Sequence, residues 1–223
     1  MLYAGLDLGQ SVDFTALSIL QRIDPPTATV EERTIEVRPS PVGPIRIFER
    51  VPVEPAQRLP EYHVRHIERW RGLSYVTLVD LVKRRLAPLD DVVLVVDGSG
   101  VGRAAVDLFY AVGVSVVAVT IHGGDRVTYD APYYRTPKRD IASTLAVLLQ
   151  SRRLKIAASL PEAATLTAEL SNFKVKISTS GHDSYAADWR EGLHDDEVLS
   201  VGIAAWYAET YGGGAWYAPS LWL

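Results

Sequence analysis

Apolar positions in the first quarter of the chain follow strand-like patterns. Two β-rich apolar runs, residues 2–8 and Phe14–Ile23, are separated by a glycine-containing turn and predict a β-hairpin. Prolines recur from residue 24 to residue 60, which excludes regular helix there and favours extended structure. Within this stretch, Ile45–Val53 is expected to supply a third antiparallel strand.

From residue 74 onward, helical and strand-like patterns alternate. Residues 74–86 have the apolar spacing of an amphipathic helix with a basic end, and residues 91–97 form an aliphatic run typical of a strand buried on both faces. The further predictions are a helix at 103–112, a strand at 114–121, helices at 137–152, 161–173 and 195–211, and a hairpin at 174–178 and 184–187. This order predicts an α/β fold whose mixed sheet has antiparallel strands 1–3, parallel strands 4 and 5, and flanking helices.

The length and composition are those of one globular domain. The 223 residues are 48% hydrophobic and 22% charged, and no apolar run reaches the roughly 18 residues of a membrane span. We expect a domain at 1–211, followed at 212–223 by a glycine-rich hinge and an aromatic C-terminal tail. Met1 leads directly into a strand-like run without a signal-peptide pattern, so the chain is expected not to be secreted. The lack of cysteine excludes disulfides, thiolate catalysis and cysteine-based zinc sites.

Acidic residues stand at the ends of three apolar elements. Asp7 ends the first predicted strand, Asp97 ends the fourth, and Asp195 and Asp196 open the last helix. If the first and fourth strands are neighbours, their carboxylates meet at one edge of the sheet, and a helix start alongside would add Asp196. Each aspartate alone is equally well explained as a turn former or a helix N-cap. Their joint occurrence at these places favours a site.

Carboxylates crowded in this way call for a divalent cation. Without one they would repel each other and raise each other's pKa values. Oxygen ligands suit Mg²⁺ or Mn²⁺, and two such ions about 4 Å apart can support phosphodiester hydrolysis. Asp13, six residues after Asp7, could assist a metal or simply solvate the hairpin turn.

Four further sequence blocks follow one another along the chain: GLDLGQSVDFTAL at 5–17, VVDGSGVG at 95–102, AELSNF at 168–173 and HDDEVLSVGIA at 194–204. In this order they resemble the nuclease domain of phage terminase large subunits, an RNase H-like family similar to RuvC resolvases. The resemblance spans nearly the whole chain. It implies a DNA endonuclease that cuts viral DNA during genome packaging with two Mg²⁺ or Mn²⁺ ions.

The resemblance also implies roles for individual residues. By position in the blocks, Asp7 would bridge the two metals, while Asp97 and Asp196 would each complete one of them. Asp196 matches better than Asp195, because the closing motif of the family has its key carboxylate two residues after the histidine. Asp195 and Asp13 would be auxiliary metal ligands.

The net charge of −4 gives no global attraction to nucleic acid, so DNA contacts must depend on local basic patches. His194, directly before the acidic pair, is a candidate to support the metal ligands or the product. The candidate DNA-binding residues are Arg135, Lys138, Arg139, Lys174 and Lys176.

The partners implied by the resemblance are double-stranded DNA, a terminase ATPase domain, the small terminase subunit and the portal. Full terminase large subunits have an ATPase motor before the nuclease, whereas this chain contains no Gly-x-x-x-x-Gly-Lys-Ser/Thr phosphate loop. It is therefore either an excised domain or a free-standing relative. Its expected location is the cytoplasm of the infected host cell, without a membrane.

Alternative functions also fit parts of the sequence. Within the same fold, the chain could be a RuvC-like junction resolvase or a catalytically inactive module that binds DNA or another partner. Residues 7–15 resemble the phosphate-binding hairpin of actin-like and sugar kinases, although that architecture needs two such domains. Residues 98–102 have glycines after a strand, but not with the spacing of a dinucleotide-binding loop.

Overall fold

A computed structural model of the chain describes residues 1–9, 13–25, 29–38, 43, 45–53, 59–173 and 195–212. The chain divides into two compact units, one formed by Met1–Arg22 with Tyr62–Leu223 and the other by Ile23–Glu61. The predicted hairpin at 174–187 and the tail after residue 212 lie outside the described residues, so both stay predictions. Within the described ranges, no helix is long and apolar enough to cross a membrane.

The elements follow the predicted α/β order. In chain order the strands are β1 (Leu2–Asp7), β2 (Phe14–Ile23), β3 (Thr29–Arg38), β4 (Ile45–Val53), β5 (Glu61–Arg71), β6 (Val92–Asp97), β7 (Val117–His122), β8 (Thr128–Asp130), β9 (Tyr133–Pro137) and β10 (Leu154–Ile156). The helices are α1 (Tyr75–Leu86), α2 (Gly102–Ala111), α3 (Lys138–Gln150), α4 (Ala163–Asn172) and α5 (Asp196–Tyr211). All five predicted helices are confirmed, with ends that differ from the prediction by at most two residues.

One eight-stranded sheet organises the larger unit, in the order β10-β5-β2-β1-β6-β7-β9-β8. β1 pairs antiparallel with β2 and, on its other side, parallel with β6. Parallel pairing continues through β7 to β9, and β8 is the antiparallel partner of β9 at the edge. The predicted mixed sheet is therefore confirmed, and β1 is the strand at which antiparallel pairing changes to parallel pairing.

Helices cover both faces of this sheet, which explains why its central strands are apolar on both faces. On one face, Ala4 and Leu6 pack with buried residues of α1 and α2, including Val79 and Phe109. On the opposite face, Tyr3 packs with buried residues of α3, α4 and α5. Neighbouring residues of β1 thus belong to different core clusters, as the alternation of side chains along a strand requires.

The third strand of the main sheet is not the one that the sequence predicted. Ile45–Val53 is a strand, as expected, but it pairs antiparallel with β3 in a separate two-stranded sheet of the smaller unit. β5 is the strand that lies next to β2. Its buried positions Tyr62, Val64 and Ile67 are interrupted by charged and half-buried residues, so no continuous apolar run marked it as a central strand.

Candidate active site

Two of the predicted acidic residues lie at the same edge of the sheet. Asp7 is the last residue of β1 and Asp97 is the last residue of β6. The two strands are parallel neighbours, and their register pairs Leu6 with Val96, which places the two aspartates next in line. The prediction that these carboxylates meet depended on the two strands being neighbours. The structure shows that they are.

A glycine brings the start of α5 to this edge. A side-chain Cβ at Gly5 would overlap the carbonyl oxygen of Ser200 and would lie 3.1 Å from the Cβ of Ala204. α5 therefore crosses directly over β1, two residues before Asp7, at a distance that only glycine permits. Asp196, the first residue of α5, is brought alongside the strand end by this close crossing.

The carboxylates at this edge interact through their charges. Asp7 and Asp196 are each only 7% exposed. Burial raises the pKa of Asp7 well above its ordinary value, and the charges of Asp97, Asp196, Asp195 and, last, Glu169 raise it further. The structure thus brings four other acidic groups to bear on one buried aspartate.

The carboxylate of Asp97 is partly oriented by the loop that follows it. The backbone N–H of Ser99 donates to Oδ1 of Asp97 at 2.8 Å. The hydroxyl oxygen of Ser99 in turn accepts from the N–H of Ile121 in β7 at 2.9 Å. Burial raises the pKa of Asp97, while the hydrogen bonds from Ser99 lower it. Asp97 therefore does form part of the turn after β6. It also lies at the acidic edge of the sheet.

Glu169 of α4 is an acidic neighbour that the sequence analysis did not single out. Its side chain is buried, and its Oε2 accepts the N–H groups of Glu197 at 3.0 Å and of Val198 at 3.1 Å. Burial raises the pKa of Glu169 to about 7, against the hydrogen bond from Val198, and the charge of Asp196 adds to the increase. Its position in the AELSNF block was the available signal.

Glu197, in the first turn of α5, is a second acidic residue that was not predicted from the sequence. It is fully buried. Nε of Arg69 lies 3.5 Å from Oε1 of Glu197, and Nη2 of Arg69 lies 3.5 Å from Oε2 of Glu162. Burial raises the pKa of Glu197 to about 8, the charge of Glu169 raises it as well, and Arg69 lowers it.

The Arg69 guanidinium also stacks over the ring of Phe14, 4.7 Å from its centroid. Arg69 was missed because it lies in β5, the strand that the sequence did not predict.

The donor set at this edge has the chemistry of a magnesium or manganese site. Carboxylate oxygens are the ligands that these ions prefer, and a divalent cation would remove the repulsion that raises the pKa of Asp7. Among the described side chains, no three acidic or histidine groups lie close enough together to hold a metal ion as they stand. The carboxylates fit the ion by type and by location, and they would have to draw closer around it.

Comparison with known proteins places this arrangement in a known fold. Neither a protein-family model nor a curated protein matches the chain. Among solved structures, the large terminase nuclease of thermophilic phage G20c with bound magnesium matches with a TM-score of 0.55 and 19% identity, covering 92% of this chain and 80% of that chain. The zinc-bound form of that nuclease gives a TM-score of 0.52 and 18% identity, with 94% and 81% covered. The large terminase nuclease domain of Thermus phage P74-26 gives 0.52 and 16%, with 96% and 82% covered. The chain has the fold of the large-terminase nuclease.

The other predicted metal ligands are placed differently within this large-terminase nuclease fold. Asp195 directly precedes α5, and its charge contributes to the raised pKa values of Asp7 and Glu169. Asp13 is exposed in the turn before β2. His194 lies outside the described residues.

A basic groove lies at the same edge of the large-terminase nuclease fold, where β7 ends. The groove has a volume of about 590 Å³, and its lining residues are Thr120, His122, Asp125, Arg126, Thr128 and Arg135. Arg135 was predicted to bind DNA, whereas Arg126 was not. Nη1 of Arg139 donates to Oδ1 of Asp125 at 2.7 Å, and Lys138 begins α3 next to it. The other two candidates, Lys174 and Lys176, lie outside the described residues.

The stability of the metal-free chain is expected to fall as the pH rises from about 5 to about 8. Glu169 and Glu197 have pKa values of about 7 and about 8 in the folded chain, against ordinary values of 4.5. The folded chain therefore holds protons that the unfolded chain has already released, and this contribution to stability disappears as both groups ionise. Thermal unfolding in EDTA, followed by circular dichroism at several pH values, measures the trend. The Glu197→Gln variant should show a flatter dependence, and a wild-type melting temperature that rises across this window would contradict the assignment.

Proposed function

We propose that the chain is a divalent-metal-dependent DNA endonuclease that cuts viral DNA during genome packaging. The observation that supports the proposal most strongly is the convergence of Asp7, Asp97 and Asp196 at one edge of a sheet with the large-terminase nuclease fold. The magnesium-bound and zinc-bound structures of the G20c nuclease support divalent metal chemistry for a site in this fold.

In this proposal the three aspartates would hold two Mg²⁺ or Mn²⁺ ions, with Asp7 contributing to both sites and Asp97 and Asp196 to one each. Asp195 and Asp13 have auxiliary roles. When bound, the two ions supply an activated water and stabilise the leaving oxygen of the phosphodiester. No side-chain nucleophile is needed.

The protein itself positions the carboxylates and limits their exposure to solvent. The close crossing of α5 over β1 buries Asp7 and excludes bulk water from one side of the site. The Ser99 N–H fixes one oxygen of Asp97 at the end of β6.

Double-stranded DNA is the proposed substrate, and the basic groove at the end of β7 is its proposed contact surface. Arg126 and Arg135 line this groove together with the hydroxyl groups of Thr120 and Thr128. Arginine and hydroxyl donors are the groups that bind phosphate oxygens, and they position DNA without reading its sequence. Lys138 and Arg139 would extend the surface into α3. Cleavage is therefore expected to depend little on sequence.

Removing both groove arginines, in Arg126→Ala/Arg135→Ala, is expected to weaken DNA binding and reduce its salt dependence. An arginine that binds one phosphate contributes about one unit to the slope of log binding constant against log salt, so the slope of the double variant should be smaller by about two. Fluorescence anisotropy with duplex DNA in EDTA at several salt concentrations measures the slope. Arg84→Ala is the control, because Arg84 is exposed on the last turn of α1, outside the groove. An unchanged slope in the double variant would exclude the groove as a phosphate-binding surface.

The biological partners proposed for this nuclease are a terminase ATPase domain, the small terminase subunit and the portal, in the cytoplasm of the infected cell. Such partners would deliver DNA to the carboxylate edge.

Cleavage of supercoiled plasmid by the purified chain in EDTA, Mg²⁺ and Mn²⁺ tests the proposed function. We expect nicking and linearisation with either metal and none in EDTA. A parallel assay compares a linear duplex with a four-way junction of the same sequence. Strong preference for the junction would favour a resolvase, and DNA binding without cleavage in any metal would favour an inactive binding module.

A further inference from the structure

The two carboxylate oxygens of Glu169 have different environments. Oε2 accepts two backbone N–H groups from the first turn of α5, from Glu197 and Val198. Oε1 is buried and has no hydrogen-bond partner among the residues that the structure describes. The whole residue is only 8% exposed. Burying a carboxylate oxygen without a hydrogen-bond donor costs free energy, so the position of Oε1 requires a physical explanation.

The hydrogen bonds of Oε2 place the carboxylate of Glu169 at the first turn of α5, directly after Asp196. The groups whose charges raise its pKa are Asp196 and Asp195, at the start of α5. Glu169 in turn contributes to the raised pKa of Asp7, at the end of β1. Glu169 therefore lies within the acidic cluster of the proposed site, on the side formed by α4.

An N-cap function alone does not account for both oxygens. A carboxylate near the first turn of a helix is stabilised by the exposed N–H groups and by the helix dipole, and Oε2 satisfies that role. A hydroxyl or amide could do the same without bringing a further negative charge to four aspartates. The N-cap role leaves Oε1 buried and without a donor among the described residues, which points toward a cation in the cluster.

We propose that Glu169 is a fourth carboxylate of the metal site, with Oε2 fixing the first turn of α5 and Oε1 helping to bind the divalent ion beside Asp196. This inference rests on the proposed metal-dependent function. It adds to the predicted aspartates a ligand from α4.

Two substitutions separate the roles of the two oxygens. In Glu169→Gln the amide oxygen can take the place of Oε2 and accept both N–H groups, but the negative charge and the second acceptor are removed. In Glu169→Ala both functions are removed. Asp107→Asn, on the exposed side of α2, is the control for removal of an acidic group elsewhere.

Mn²⁺ binding to the metal-free chain, measured by electron paramagnetic resonance without DNA, is the test, with amide hydrogen exchange as the second readout. We expect Glu169→Gln to raise the Mn²⁺ dissociation constant by about tenfold or more. The same variant should keep the wild-type exchange rates of the Glu197 and Val198 amides. Glu169→Ala should weaken Mn²⁺ binding and also speed this exchange, while Asp107→Asn should change neither.

The outcomes distinguish this inference from the proposed function. If the wild type and Glu169→Gln bind Mn²⁺ equally well, Glu169 is only a helix cap and the inference is overturned, while the metal-dependent nuclease stands. If the wild type binds no Mn²⁺ at all, the proposed function itself is overturned together with the inference.

Discussion

Replacing Asp7 by asparagine is expected to lower the rate of DNA cleavage by about a thousandfold or more. Asp7 is the buried carboxylate on which the charges of Asp97 and Asp196 act, and in the proposed site both metal ions share it. An amide has no negative charge to offer either ion. Initial rates of plasmid nicking in Mg²⁺ and Mn²⁺, compared with those of the wild type, measure the loss.

The same variant should be at least as stable as the wild type without metal. Asp7 is buried beside other acids, and a neutral amide of the same size removes their repulsion. A melting temperature in EDTA that equals or exceeds the wild-type value would show that the loss of cleavage is not caused by unfolding. Asp107→Asn, an exposed aspartate of α2, should cleave at the wild-type rate. An Asp7→Asn variant with more than about a tenth of wild-type activity would argue against the shared-metal role.

Replacing Gly5 by alanine is expected to destabilise the fold by about 3 kcal/mol. The added methyl group would overlap the backbone carbonyl oxygen of Ser200, which cannot rotate away as a side chain could. α5 would have to move off β1 and would carry Asp196 with it. A displacement of about 1 Å at a catalytic group can cost a hundredfold in rate. We therefore expect a lower melting temperature, by roughly 10 °C, together with a loss of cleavage.

Gly123→Ala is the matched control for this substitution. A Cβ at Gly123 meets nothing within 4 Å, so alanine should be tolerated without loss of stability or activity. Thermal unfolding and plasmid nicking of both glycine variants complete the comparison. If Gly5→Ala melts and cleaves like the wild type, the close crossing of α5 over β1 does not set the geometry of the site.

Much of the main sheet could be predicted because its strands carry strong local signals. The aliphatic run ending at Asp97 and the two apolar runs around the first turn are marked by residues adjacent in sequence. β5 was not predicted because its charged positions broke the apolar pattern, and β4 was assigned to the wrong sheet because strand pairing depends on distant residues. The short strands β8, β9 and β10 have three to five residues each, which is too few to recognise an alternation of apolar and polar positions.

The candidate site was predictable where a carboxylate ends an apolar element. Asp7, Asp97 and Asp196 were predicted in that way, and the structure places them on neighbouring elements. Glu169 and Glu197 could not be found by the same rule, because their importance arises from burial and from contacts between α4 and α5. Arg126 lies in a loop without a periodic pattern, and only the groove that it lines gives it a candidate role.

A crystal of the protein soaked in Mn²⁺ and measured at the manganese absorption edge tests whether the three aspartates hold two metal ions. We expect two anomalous peaks about 4 Å apart at the carboxylate edge, both touching Asp7 and each touching either Asp97 or Asp196. Soaked crystals of Asp7→Asn should lack both peaks. If saturating Mn²⁺ leaves this edge empty in the wild type, or binds only elsewhere on the molecule, the three aspartates do not form the metal site.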